Sequence, residues 1–533
     1  MLKPLGNTAS IAIGLCLVLL AFALPVFINL ILFFRLGSVK LKGDIVMKKT
    51  TVNSVIIEKQ PSVLIVASEA NPFAGTGGLA DVIGSLPKAV YKNGNYDVRV
   101  VMPLYKDFST LYRDKLKFVG NFNVPLSWRN QYAGVFSYKK DGVIYYFIDN
   151  EYYFKRDGLY GFYDDGERFA FFSKASLCLM EYLDFYPDVL HAHDWQTALS
   201  VIYLKTLYKD LNGYNRIKTM FTIHNIEYQG KYGSEVLGDV FGLDGYLEVL
   251  EFDGVVNLMK GAMMLADKVS TVSPSYAKEI KYDFFSHGLS PITNMLEYKT
   301  VGILNGIDVN LYNPSKDGYV FEKYSSKDLE GKKVCKKELQ KMLCLPEREE
   351  VPLIAVISRL VSHKGLDLLK AIIDELLSED VQLVILGKGE SQYEEYFKNI
   401  QEQYSGKCRT IIAYNKDLSS KIYSGADIFL MPSKQEPCGL SQMIACRYGT
   451  VPVVRRVGGL QDSITPYNDD RKKGNGFAFT NYNAHEMLYV LKDAIFTYKN
   501  KEEWDKIVKF AMKTDFSWKK SSLSYEQIYN ELL

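Results

Sequence analysis

Apolar positions along the chain come in short blocks that switch between two periods. Ser62–Ala67 (SVLIVA) is a continuous apolar run of strand length, the pattern of a strand buried on both faces. The following stretch, TGGLADVIGSLPKAVYKNG, takes up helical spacing and stops at Gly94. A glycine at that place suits a helix end. Asp97–Met102 (DVRVVM) resumes the strand pattern, so strand, glycine turn, helix and strand together predict a βαβ unit. Further strands are predicted at 135–137 with 143–148, and at 189–193, 218–224 and 268–272, with helices over 168–183 and 197–209.

A turn-rich passage at 301–314 breaks this series, and a second one starts at Leu353 (LIAVISRL). Helix Leu366–Leu377 follows, then strands at 381–386, 409–414 and 427–431. The predicted fold class is α/β, with two Rossmann-like domains facing a deep cleft, because open parallel sheets bind ligands beyond the C-terminal ends of their strands. The expected boundaries are 61–300, 301–505 and a helical tail over 506–533. Trp518, Tyr525 and Tyr529 give that tail an apolar face that has to pack against something.

A length of 533 residues exceeds what one hydrophobic core usually serves, in keeping with two domains. A net charge of only +2 gives little support for nucleic-acid binding. The seven cysteines are scattered without a CxxC pair, which argues against a zinc site or a disulfide framework and for a reducing compartment. No metal site and no cofactor are expected. Residues 11–34 carry no charge, and Arg35, Lys40 and Lys42 follow them. Two readings of the 1–46 extension stand side by side. It is a membrane segment that leaves the body on the cytoplasmic side, or translation starts near Met47 and the working protein lacks it. Both make the body cytoplasmic.

Candidate chemistry gathers at predicted strand ends. Gly75, Gly77 and Gly78 form a GTGG turn after the first strand, where backbone amides at a helix start suit phosphate or sugar oxygens. Asp81, one turn on, suits a sugar hydroxyl or the helix amides. His191 and His193 of HAHDW alternate along one strand, which puts them on the same face. Arg359 and Lys364 in SRLVSHKG offer a guanidinium fork and a point charge to an anion, against the alternative of a solvated basic loop. Glu436 in EPCG is a carboxylate fixed ahead of Pro437 and Gly439. Cys438 has no histidine partner legible in the sequence, and Arg455 and Arg456 suit either phosphate or interdomain ion pairs.

These segments resemble the bacterial glycogen synthase and plant starch synthase family. The matching stretches are TGGLADVIGSLPKA (76–89), DDGERF (164–169), HAHDW (191–195), HNIEYQG (224–230), TVSPSYAKEI (271–280), GILNGID (302–308), SRLVSHKG (358–365), PSKQEPCGLSQ (432–442) and YGTVPVVRRVGGLQD (448–462). They run in family order, and residues 1–46 lie outside them. The resemblance implies a GT-B glycosyltransferase of family GT5. Such an enzyme transfers glucose, with retention, from a nucleotide sugar (usually ADP-glucose) to the non-reducing end of an α-1,4-glucan such as glycogen. It implies that His193 contacts the donor glucose, Glu436 binds glucose hydroxyls, and Arg359 and Lys364 neutralise the leaving diphosphate. Asp81 and the Gly77–Gly78 loop would close the site from the other domain. Cys438, Gly439 and Leu440 would line the sugar pocket, Asp165 of DDGERF would join the substrate contacts, and Tyr414 would lie near the adenine.

One position departs from the family pattern. The family commonly reads KTGGL, and here Gly75 stands in place of the lysine. Loss of a cation beside a departing diphosphate would cost roughly 10²–10³ in rate if nothing replaced it. The expectation is an active synthase with a modified loop. The alternatives are a synthase that uses UDP-glucose and a weakened, glucan-binding paralogue. A glucan phosphorylase would need a pyridoxal-phosphate lysine that no motif marks.

Overall fold

The computed structural model describes residues 60–413 and 415–533. The charge-free segment at 11–34 and Tyr414 lie outside the described residues. Among the described residues no helix is long and apolar enough to cross a membrane.

The first half is built on β1 (Ser62–Val66), β2 (Asp97–Pro103), β3 (Lys117–Leu126), β4 (Arg129–Lys140), β5 (Val143–Asp149), β6 (Val189–His193), β7 (Lys218–Ile223), β8 (Lys268–Thr271) and β9 (Thr300–Gly302). They form one sheet in the order β9-β8-β7-β6-β1-β2-β5-β4-β3. Pairing is parallel from β9 across to β5 and antiparallel only in the β5-β4-β3 meander. The helices that matter here are α1 (Gly78–Asn93), α2 (Asp165–Tyr182), α3 (Trp195–Thr206), α4 (Leu258–Leu265) and α5 (Pro274–Glu279).

The second half carries β10 (Leu353–Ile357), β11 (Gln382–Gly387), β12 (Cys408–Ile412), β13 (Ile428–Met431), β14 (Val451–Arg455) and β15 (Phe477–Phe479). Its sheet runs β12-β11-β10-β13-β14-β15 and is parallel throughout. Because β1 and β10 start mid-sheet and the order reverses on either side of them, each half has a topological switch point at the C-terminal end of its first strand. Helices α6 (Leu366–Ser378), α7 (Lys416–Gly425), α8 (Ser441–Arg447) and α9 (Gly458–Ser463) start at those strand ends.

The tail helix α10 (Trp518–Leu532) packs back on the first half. Tyr525 and Tyr529 are fully buried in that half's core. Glu526 accepts from Asn93 Nδ2 at 2.6 Å and Asn95 Nδ2 at 2.9 Å, and Tyr96 Oη donates to Asn530. The aromatic face of the tail therefore closes the first domain, although α10 follows the second in the chain.

The structure differs from the sequence expectation at several elements. Strand β3 is absent from the predicted elements, and β4 is far longer than the predicted 135–137. The edge strand β3 is mostly exposed, with only Val124 and Leu126 buried, and β4 is buried only over 133–135, so neither presents a continuous apolar run of strand length. Helix α2 starts at Asp165 rather than Arg168.

Candidate functional site

Three groups of side chains gather at the C-terminal ends of the central strands. In the first half, the turn after β1 is pinned by Glu69, which accepts from Thr76 N at 2.6 Å and Thr76 Oγ1 at 3.0 Å. Burial pushes the Glu69 carboxyl up. Asp81 accepts from Asn71 Nδ2 at 2.7 Å. Its carboxyl is also raised by burial and is drawn back by Asn71 and by the charge of Lys416, in the first turn of α7 on the opposite half. Gly77 caps α1 without a side-chain bond, and the space where Gly77 and Gly78 would carry a Cβ is open. Glu69 also draws on the Ala80 amide, so among the first amides of α1 those of Gly78 and Leu79 are free to meet an anionic ligand.

Gly75 is a different case. A Cβ there would stand 2.2 Å from Ala80 Cβ and 3.2 Å from Asn71 Oδ1. The turn is shaped so that no side chain fits, and the family's lysine has no place in this loop conformation.

The second group is a row of imidazoles across β6 and β7. His191 Nδ1 lies 2.8 Å from Tyr529 Oη of α10, and its Nε2 lies 2.6 Å from Thr222 Oγ1. The His193 ring packs on His191 with centroids 4.1 Å apart, and its Nδ1 lies 3.0 Å from His224 Nε2. His193 Nε2 is buried and has no partner. Burial holds all three imidazoles neutral: His191 and His224 fall to about 3, and His193 lies well below its ordinary value. Asp194, in the left-handed region at φ 58°, accepts from His224 N at 2.7 Å. Burial lifts its carboxyl to about 7 against those amide bonds.

The third group belongs to the second half. Lys364, just ahead of α6, donates to Glu436 Oε2 at 2.7 Å, and both side chains are largely buried. Ser433 Oγ donates to the same oxygen at 2.9 Å, and Oε1 is left uncommitted. Arg359, beyond β10, is exposed, and its guanidinium has no hydrogen-bond or ion-pair partner among the described residues. Gly439 (φ +69°) and Leu440 lead into α8. At Gly458 (φ +45°) a Cβ would fall 2.0 Å from the Glu436 carbonyl oxygen, so only glycine lets the start of α9 approach the Glu436 turn this closely.

The two halves meet directly beside this turn. Ser273 Oγ donates to the Pro437 carbonyl at 2.7 Å. Ser275 N and Oγ both donate to the Asp462 carboxylate at 2.7 Å. Glu279 Oε1 accepts from Gly458 N at 2.8 Å. Its other oxygen is buried without a partner, and burial raises the carboxyl to about 7. A cation and a carboxylate on the second half, together with a neutral imidazole, a glycine loop and free helix amides on the first, can hold a sugar between them. They can also receive negative charge as a diphosphate leaves.

Not every residue singled out from the sequence joins this arrangement. Asp165 is held by its own loop. It accepts from Gly161 N at 2.8 Å and Phe162 N at 3.2 Å and pairs with buried Arg168, so both of its oxygens are committed to shaping that loop. Cys438 is buried and its thiol is pushed up to about 12 by burial, which suits a wall residue and not a nucleophile. The sequence had assigned no role to the partners Asn71, His224, Glu279 and Ser433, although the last three lie in the matching stretches HNIEYQG, TVSPSYAKEI and PSKQEPCGLSQ, and it had named Tyr529 only as part of the apolar face of the tail.

Comparison with known proteins places these features in a family. A family model described as the starch synthase catalytic domain matches residues 62–295, and one described as glycosyl transferases group 1 matches residues 344–509. The glycogen synthase of Bacillus cereus (strain ATCC 14579) is 46% identical over 475 residues, covering 89% of this chain and 100% of the relative. That of Desulforamulus reducens is 47% identical over 474 residues, 88% of this chain and 98% of the relative. Among solved structures, the catalytic domain of starch synthase IV from Arabidopsis thaliana, bound to ADP and acarbose, superposes with a TM-score of 0.83. It is 34% identical and covers 89% of this chain and 99% of its own. Sucrose-phosphate synthase from Thermosynechococcus elongatus (16% identity, TM-score 0.57, covering 89% and 99%) shares the fold.

Proposed function

Since the chain belongs to the glycogen and starch synthase family of glucosyltransferases, we propose that it lengthens an α-1,4-glucan by transferring glucose from ADP-glucose to the non-reducing end, with retention of configuration. The observation that carries this reading is the buried Lys364–Glu436 pair beside unpaired Arg359, set at the strand ends of the second half. It is an anion-receiving centre with a sugar-binding carboxylate built in. The ADP and acarbose held by the Arabidopsis enzyme support an adenine nucleotide as the donor's carrier and a glucan as acceptor.

In this reading the bond between glucose C1 and the diphosphate oxygen breaks as charge builds on that oxygen. Arg359, Lys364 and the first amides of α1 stabilise that charge. Glu436 holds glucose hydroxyls through its uncommitted Oε1. His193, kept neutral by burial, offers its unpartnered Nε2 to the sugar. The acceptor 4-hydroxyl attacks C1 from the face the diphosphate is leaving, and its proton passes to the leaving phosphate oxygen. Closure of the halves aligns the acceptor and excludes water.

The test is incorporation of labelled glucose into glycogen from ADP-glucose and, separately, UDP-glucose. Incorporation from ADP-glucose at least tenfold above UDP-glucose supports the reading. A preference for UDP-glucose overturns the donor, and no incorporation by folded, glycogen-binding protein overturns catalysis.

A further inference from the structure

The imidazole row contains a device that the reaction scheme above does not use. His193 has one uncommitted nitrogen, because Nδ1 is taken by His224 Nε2 at 3.0 Å while Nε2 is buried and unpartnered. One proton is shared along that contact. Either His224 Nε2 carries it and donates, so that His193 bears its own proton on Nε2, or His193 Nδ1 donates and His193 Nε2 is bare. In the first case both rings adopt the Nε2–H tautomer that neutral imidazole favours in water. In the second both adopt the disfavoured one. The backbone fixes the geometry of the contact, since His224 N donates to Asp194 Oδ1 at 2.7 Å and His193 N is bonded to Thr197 Oγ1 at 2.7 Å. Across the row, the His191 ring packs against that of His193 and is itself held at both nitrogens by Tyr529 and Thr222.

We propose that His224 is a positioning residue that locks His193 in the Nε2–H tautomer, making His193 a hydrogen-bond donor, and not an acceptor, toward the sugar. The inference deepens the role given to His193 above and rests on that reading for its catalytic consequence, but the tautomer itself does not. A side chain acting through another in this way sets the proton's location without touching substrate.

The test is a long-range ¹⁵N–¹H spectrum of the full chain labelled at histidine. The chain has six histidines, and loss of one signal set in His193→Gln assigns it. The expected spectrum shows His193 with a protonated Nε2 and a bare Nδ1. In His224→Phe, which keeps a ring but loses the donor, the two nitrogens should shift toward averaged values, and kcat/KM should fall about tenfold, the worth of one hydrogen bond. In His224→Gln, whose amide can still donate, both the spectrum and the rate should return toward wild type. A bare Nε2 in the unsubstituted protein overturns the proposal with no variant needed, as does an unchanged His193 spectrum in folded His224→Phe. If the spectra behave as expected while transfer is unaffected in both His224→Phe and His193→Gln, the tautomer lock stands and the role of His193 in transfer falls.

Discussion

Restoring the family's lysine is the sharpest test of the first-half loop. If Gly75 were a simple loss, Gly75→Lys would return a cation to the site and raise activity. The structure predicts the reverse. A Cβ at Gly75 would lie 2.2 Å from Ala80 Cβ, and Ala80 is fully buried on α1, so it has nowhere to go. Two responses are open. Overpacking against a buried helix costs about 1–3 kcal/mol. Moving the turn instead breaks the two bonds from Thr76 to the Glu69 carboxylate, each worth roughly 1.5–3 kcal/mol. The cheaper response is the first, so Gly75→Lys should lower Tm by a few degrees (about 1–3 kcal/mol) and reduce transfer from ADP-glucose. The double variant Gly75→Lys/Ala80→Gly removes the clashing methyl at a cost of about 1 kcal/mol for glycine in a helix. It should regain stability relative to the single variant and show what the lysine itself does. Differential scanning fluorimetry and steady-state kinetics on the parent and the two variants decide the matter. A single variant as stable as the parent and more active would refute the reasoning, because the loop would then accept a side chain at no cost.

Glu436→Gln keeps the shape of the site but removes the charge facing Lys364, and should lower kcat roughly 10²-fold and lower Tm as well, because Lys364 keeps a largely buried charge without its counter-ion; an unchanged kcat ends its proposed role. Tyr529→Phe removes the 2.8 Å contact to His191 and should cost about 1 kcal/mol of stability, read as a shift in Tm; no shift would mean that this contact adds nothing to the packing and the Glu526 and Asn530 bonds that hold the tail helix. Asp194→Asn tests the buried carboxyl. Its folded value of about 7 stands above its ordinary 3.8, so its contribution is fully present below about pH 4 and is lost as pH rises through 7. Asparagine keeps the acceptor oxygen and tolerates the left-handed backbone. The Tm of wild type relative to Asp194→Asn should therefore fall between pH 4 and 8, and a difference that stays flat across that range would show the carboxyl to be unshifted.

The α/β alternation was legible because buried parallel strands are continuous apolar runs and the helices between them carry a 3.6-residue period. β1, β10 and the glycine turn before α1 are therefore readable by eye. Strand β3 was not, because an edge strand with one wet face mixes lysine, asparagine and phenylalanine without a clear run. The motifs also located the ends of the strands where chemistry gathers, since glycines and prolines mark the turns there. They did not reveal function for every residue they contained. Asp165 sits in a family motif, yet its carboxylate shapes its own loop.

Read alone, the sequence set most of the elements, the two-part organisation and the chemical types available: a lysine, an arginine, a glutamate, a histidine pair and glycine turns. All of that follows from local pattern and residue chemistry. Only the tertiary structure decided the pairings. Lys364 and Glu436 are 72 residues apart, His193 and His224 are 31 apart, and Tyr529 reaches His191 from 338 residues away. Such contacts depend on strand order and on the return of α10, which the one-dimensional pattern does not encode. The meaning of Gly75 was settled in the same way. In sequence it reads as a missing cation. In three dimensions Ala80 and Asn71 occupy the space a side chain would need, because packing excludes volume between atoms that are distant along the turn but adjacent in the fold.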